Sequence, residues 1–133
     1  MSKLAVLKVG PLTSVQDSGR YGAQRYGLTT SGAMDMLALA AANTLVGNRP
    51  TAAAIEIGPF GATFEARAGA VRIAIAGAGR DIRVAGRPLA LNTSVTLAEG
   101  ERLEIGAARS GVFSILGLEG LSLIHISEPT RPY

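Results

Sequence analysis

Apolar residues crowd this chain in short runs, and turn-forming residues cut between them. Residues 4–9 alternate as a strand does, with Leu4, Val6 and Lys8 on one side and Ala5, Leu7 and Val9 on the other. Gly10-Pro11 ends that run, because proline has no N–H to give a ladder. Residues 12–17 predict a short second strand or a turn. Residues 18–30, with Gly19, Gly22 and Gly27, predict a structured loop. At 34–45 the pattern becomes helical, since alanine and leucine dominate Met36-Leu37-Ala38-Leu39-Ala40-Ala41-Ala42. Ser31 is the expected N-cap, and Asp35 is expected in the first turn, where the helix dipole favours an acid. Gly47 and then Pro50 close the helix.

Beyond the helix the character is β. Strands are expected at 53–57, 62–66, 71–76, 81–84, 94–97, 102–105 and 112–116, separated by Gly58-Pro59, Ala68-Gly69, Ala85-Gly86 and Glu99-Gly100. Short strands punctuated at about ten-residue intervals predict a mostly β sandwich or barrel with one main helix. Residues 71–76 are the most apolar and are expected at its centre. Residues 94–105 are expected to form a hairpin with Leu97, Leu103 and Ile105 facing inward. Gly77-Ala78-Gly79-Arg80-Asp81 resembles the start of a dinucleotide loop, yet no helix follows, so a β-turn is expected there.

Composition narrows the class. The 133 residues suit one domain, and 47% hydrophobic with 17% charged residues is enough for a core. No apolar run approaches the roughly 18 residues of a membrane span. Met1-Ser2-Lys3-Leu4-Ala5-Val6 lacks the apolar stretch of a signal peptide. The absence of cysteine removes disulfides and thiolate chemistry. Together these features lead to the expectation of a cytoplasmic protein with no membrane role. The net charge is +3, but the arginines are scattered among acids and form no basic stripe with interleaved aromatics. Nucleic acid is therefore not an expected partner, whereas an anionic small substrate or a phosphate fits a modest arginine excess.

The segment 121–131, Leu-Ser-Leu-Ile-His-Ile-Ser-Glu-Pro-Thr-Arg, reads as a translated transposon-type sequencing adapter. Residues 121–133 are accordingly expected to be foreign, and the natural chain to continue past Gly120. The alternative is a genuine strand at 121–126. On the adapter reading His125, the only histidine, leaves the argument and takes histidine-based catalysis with it. The nucleotide record tests this: adapter bases should appear at these codons.

Candidate chemistry gathers in two polar clusters, Val15-Gln16-Asp17-Ser18-Gly19-Arg20 and Ser31-Gly32-Ala33-Met34-Asp35. Asp17 and Arg20 either clamp a polar substrate, with Gly19 allowing close backbone approach, or brace a turn. Ser31 and Gly32 before a helix offer backbone N–H groups to an anion, or simply cap the helix. Ser31 is a poor nucleophile here, because no base accompanies it. Asp35 either orients a polar ligand or satisfies the dipole. Glu56, alone in apolar Ala54-Ile55-Glu56-Ile57, either faces solvent or an edge by alternation, or is buried with a partner such as Arg20. Tyr21 and Tyr26 line a pocket or seal the core, and Asn43 and Asn48 flank the helix end.

Several blocks in order resemble one family: 10–20, 27–35, Ala42-Asn43-Thr44-Leu45-Val46-Gly47-Asn48, Ile55-Glu56 and, more weakly, 107–111. Across residues 4–120 the chain resembles the biotin-dependent carboxyltransferase family. That family takes in the 5-oxoprolinase C subunits, the allophanate hydrolase subunit 2 domain and the matching part of urea carboxylase. The resemblance implies a cyclophilin-like β architecture and a natural chain about twice as long, of which 1–120 is the N-terminal part of the domain. Its leading functional implication is a member of an ATP-dependent complex that opens 5-oxoproline to glutamate. ATP would be handled on partner subunits, while this chain would shape the pocket for a small amide or lactam. Gln16, Asp17 and Arg20 would contact substrate, Ser31 and Gly32 would donate hydrogen bonds, and Asp35 and Glu56 would orient that shell. The alternatives are a carboxyltransferase half-site acting on urea with carboxybiotin, and a regulatory binding subunit. Gly58-Pro59-Phe60-Gly61 and Gly117-Leu118-Glu119-Gly120 depart from the usual family pattern and leave substrate choice open. The 1–120 piece alone is expected to be inactive.

Overall fold

The computed structural model describes residues 3–10, 13–17, 29–32, 35–120 and 125–127, with the backbone alone at 14–17, 29–32 and 125–127. The elements in order are β1 (Lys3–Val9), β2 (Ser14–Asp17), β3 (Thr29–Gly32), α1 (Met36–Leu45), β4 (Ala54–Ile57), β5 (Ala62–Arg67), β6 (Val71–Val84), β7 (Arg87–Pro88), β8 (Ser94–Leu97), β9 (Arg102–Leu118) and β10 (His125–Ser127). Pairing is antiparallel except between β2 and β3 and between β1 and β10. The expected mostly β fold is thus observed, as a largely antiparallel sheet with one helix among the described residues.

Two long strands organise it. The start of β9 pairs with β5 and with residues 82–84 of β6, while its end pairs with β4 and with residues 73–77 of β6. One bent ribbon of β6 and β9 therefore serves both halves of the sheet. Leu4, Phe64 and Leu103 from one half and Ile55, Ile73 and Leu118 from the other meet in a single buried cluster. The register of the ribbon shifts at three places between Gly77 and Ile82, which is where it bends.

This corrects two expectations. Residues 77–79 are not a turn, and 71–76 and 81–84 are not separate strands; a bulged strand runs through all of them. Gly77 lies at φ +112°, and a Cβ there would stand 2.8 Å from the Phe113 carbonyl oxygen, so close strand approach explains the glycine. The expected 94–105 hairpin is also absent. β8 pairs with Val71–Ala74 of β6 instead of with β9. The Glu99-Gly100 turn is drawn onto the end of β5, where Gly100 N donates to Ala66 O at 2.7 Å and Ala66 N to Glu101 O at 3.1 Å. Leu97, Leu103 and Ile105 are buried as expected.

The helix α1 lies on the outer face of the β4, β6 and β9 region, packing Ala38, Leu39 and Ala42 against Ala54, Ala76 and Ile115. Gly117 permits this, since a Cβ there would come within 2.8 Å of the Ala42 carbonyl oxygen. Asn43 and Asn48 fasten the far end of the helix. Buried Asn43 donates to the carbonyls of Pro50 and Ala52 at 3.2 and 2.7 Å. Asn48 donates to Leu118 O at 2.6 Å and accepts from Gly120 N at 3.0 Å. Gly47, at φ +81°, closes the helix as expected.

Candidate functional site

Five of the seven candidate residues lie on three neighbouring strands, β2, β3 and β4. The parallel pairing of β2 with β3 sets Gln16 beside Ser31 and Asp17 beside Gly32. On its other side β2 runs antiparallel to β4, with Gln16 opposite Ala54 and Ser14 opposite Glu56. Adjacent strands stand about 4.8 Å apart, so these backbones lie within about 10 Å across the sheet. Arg20, Tyr21 and Tyr26 fall outside the described residues.

Glu56 is only 3% exposed, which overturns its placement at a surface or an edge. The cause is topological. β4 sits between β2 and β9, its Ile55 and Ile57 face the core, and its Ala54 lies under α1. Both faces of the strand are covered, so alternation no longer delivers an exposed side chain. Glu56 stands opposite Ile115 of β9.

Asp35 also changes role. It does not sit in the first helical turn; it is the N-cap itself, extended at φ −120° and ψ 94°. Its Oδ1 accepts from Ala38 N at 2.9 Å. Ser31, the expected cap, lies instead in β3. One carboxylate oxygen of Asp35 is thereby committed to the helix, while the residue as a whole stays exposed at the β3 end of the site.

A second polar group was not legible as a site. Arg80 is 4% exposed, and its Nη1 and Nη2 donate to Gly58 O at 3.0 Å and Val112 O at 3.1 Å. Its Nε has no partner among the described residues. Burial pushes its pKa down from the ordinary guanidinium value. Thr13 Oγ1 accepts from Gly58 N at 3.0 Å, and buried Ser114 donates to Ala78 O at 3.0 Å. The available signal was parity: Arg80 shares the inward side of β6 with Ile82 and Val84, and an assumed turn hid it.

The segment that resembled a phosphate loop has another role in the structure. Gly77-Ala78-Gly79 lies inside β6 with strand backbone packed against it, so it forms no phosphate cradle. No group of histidine, cysteine, aspartate and glutamate among the described residues suits a metal ion. No helix among them is long and apolar enough to cross a membrane.

With this geometry in place, residues 26–124 match the family described as carboxyltransferase domain, subdomain A and B. The chain belongs to that family. Among curated relatives, it is 34% identical over 119 residues to the 5-oxoprolinase C subunit of Escherichia coli, covering 88% of this chain and 37% of that protein. It is 35% identical over 112 residues to urea amidolyase of Saccharomyces cerevisiae, covering 84% of this chain and 6% of that protein. The crystal structure of the K. lactis urea amidolyase superposes with a TM-score of 0.77 at 31% identity, over 88% of this chain and 7% of that one. The chain thus spans just over a third of the bacterial relative and a small part of the yeast one.

Proposed function

We propose that this chain acts within a 5-oxoprolinase-type complex, which opens the 5-oxoproline lactam to glutamate at the expense of ATP. The observation that carries this reading is its 34% identity to a 5-oxoprolinase C subunit over 88% of the chain. The strand register supports a pocket wall in which Gln16 and Asp17 sit beside Ser31 and Gly32. In this reading Gln16, Asp17 and Arg20 contact the polar edge of the substrate. Ser31 and Gly32 donate hydrogen bonds to its carboxylate or carbonyl. Asp35, rigid as a helix cap, and buried Glu56 orient that shell. ATP supplies carbonyl activation on partner subunits.

The match to urea amidolyase favours a second reading, a carboxyltransferase half-site that takes a carboxyl group from carboxybiotin to urea or a similar amide. Neighbouring genes separate the two: subunits of the oxoprolinase type favour the first, and a biotin carboxylase with a biotinyl carrier favours the second. The deciding assay is ATP-dependent glutamate release from 5-oxoproline by the assembled complex. Asp17→Asn and Arg20→Ala are each expected to reduce turnover at least about tenfold without unfolding the chain. Unchanged turnover in both variants sinks the pocket assignment.

A further inference from the structure

One edge of the sheet is too apolar and too deeply covered to be left open. β1 has β5 along one side and, on the other, only the three residues of β10. Two other outer strands are blunted: β7 is two residues with Pro88, and β8 is four residues in which Ser94 and Thr96 alternate with Val95 and Leu97. β1 runs for seven residues and carries lysine only towards its ends, at Lys3 and Lys8. Between them Leu4, Ala5 and Val6 are 0, 0 and 2% exposed, and Leu4 and Val6 belong to the core cluster. Successive residues point to opposite faces, so both faces of this stretch are covered, as in an internal strand. Its N–H and C=O groups on the β10 side need a strand beside them, because a buried backbone group without a partner is costly.

The strand seated there fits poorly. β10 runs parallel to β1 and reaches only Lys3, Leu4 and Ala5. In that register Glu128 and Pro129 come next, and proline has no N–H for a ladder. Burial falls beyond Val6, where Leu7 and Val9 are only half-buried. Residues 125–127 also lie within the segment that reads as a translated adapter. Main-chain hydrogen bonds are made whatever the side chains, so a foreign segment can sit on an open edge without having been selected for it. The approach to this edge is fixed as well. Asn48 donates to Leu118 O at 2.6 Å and accepts from Gly120 N at 3.0 Å, while Glu119 N donates to Arg72 O at 3.0 Å. Four residues separate Gly120 from His125, so the β1 edge lies within about 18 Å of that anchored point. Any chain that follows Gly120 starts within short reach of it.

On the foreign reading of 121–133, and whatever reaction the chain serves, we propose that the β1 edge seats a parallel strand from the natural segment that follows Gly120. Residues 125–127 stand in for that strand. The natural strand pairs along most of Lys3–Val9 and turns apolar residues to the side that Leu4 and Val6 share with the core. The test uses the chain encoded by the uninterrupted gene, with any native cysteine replaced. Lys3 is exposed, so Lys3→Cys leaves the core intact, and a second cysteine is moved one position at a time through the residues after Gly120. Residues facing each other on adjacent strands come within disulfide reach. Oxidation is expected to join Lys3→Cys to one position, with a yield at least about tenfold above that at the next residue, whose side chain points to the other face. Amide exchange from Val6 to Val9 is expected to be at least about tenfold slower in that natural chain than in the 133-residue chain, whose β10 stops opposite Ala5. A folded natural chain in which no position cross-links, and in which these amides exchange as fast as before, overturns the proposal. Cross-links formed only between two molecules give the edge to a second copy and overturn it too. Native codons in place of adapter bases at 121–131 overturn the choice of occupant, because β10 is then the chain's own strand.

Discussion

Glu65 shows how a single carboxylate on the outer face of the sheet makes stability depend on pH. Arg67 donates to it at 2.9 Å from the same strand, and Arg102 approaches at 3.4 Å from β9. The Arg67 hydrogen bond, opposed in part by desolvation and helped by Arg102, holds the Glu65 pKa below its ordinary value of 4.5. A carboxylate with a depressed folded-state pKa binds its proton less readily folded than unfolded. Its stabilising contribution is therefore fully present above the ordinary glutamate range and is lost as pH falls through the folded value. Glu65→Gln is expected to remove part of the fall in stability below about pH 4.5 and to change little near neutrality. Denaturant midpoints measured across that range check this, and parallel pH profiles for both proteins would count against it. The Arg102 contact was not readable from the chain, since it depends on which strand lies beside β5. Glu56 and Arg80 illustrate the same limit at the buried end. The residues stood in plain sight, but the coverage of both faces of β4 is a property of the assembled sheet, and the turn assumed at 77–79 hid the parity that sets Arg80 inward.

The helix is the element that local sequence determined most fully. Its alanine-rich run, its glycine stop and its place between the two β regions were all legible, because propensity and capping act within a few residues. Its start was not, because two polar residues competed for the cap. Ser31 was drawn into a strand pairing with Gln16, which left Asp35 to take the first free N–H groups. Asp35→Ala is accordingly expected to lower stability by about 1 kcal/mol, whereas Asp35→Asn, which still accepts from Ala38 N, is expected to lower it by a few tenths at most. Thermal unfolding of both variants measures this. The comparison also separates the cap from the pocket: turnover lost in Asp35→Asn at unchanged stability assigns the carboxylate's charge to substrate, and retained turnover confines it to the helix. The β2 and β3 strands tell the opposite story. Their residues were singled out for polarity, and it is the parallel pairing, a long-range event, that brought the two clusters together.

At the scale of the whole molecule, the sharing of β6 and β9 between both halves of the sheet makes one prediction that neither half makes alone. The expected strands at 71–76 and 81–84 each found their places, yet reading the glycines between them as a turn concealed that they are one strand. A β-turn there would give two small sheets with separate ribbons; a bulged continuous strand gives one cooperative unit. Gly77→Val tests the difference. At φ +112° the backbone disfavours any side chain, and a Cβ would press on the Phe113 carbonyl oxygen at 2.8 Å and the Ser114 Cα at 3.0 Å. The variant is expected to lose about 3 kcal/mol or more, a large share of a domain's usual stability. Gly86→Ala is the matched control, since Gly86 has a similar positive φ of +80° but open space around it, and it is expected to lose only about 1 kcal/mol. Hydrogen exchange read at Phe64 and Leu103 in one half and at Ile55 and Ile73 in the other then reports on the architecture. A shared ribbon predicts that protection falls together in both halves of Gly77→Val, because β6 pairs along β9 in each of them. Protection that persists around Phe64 while it collapses around Ile73 would mean that the halves fold independently, and that the bend is a hinge between units instead of the spine of one.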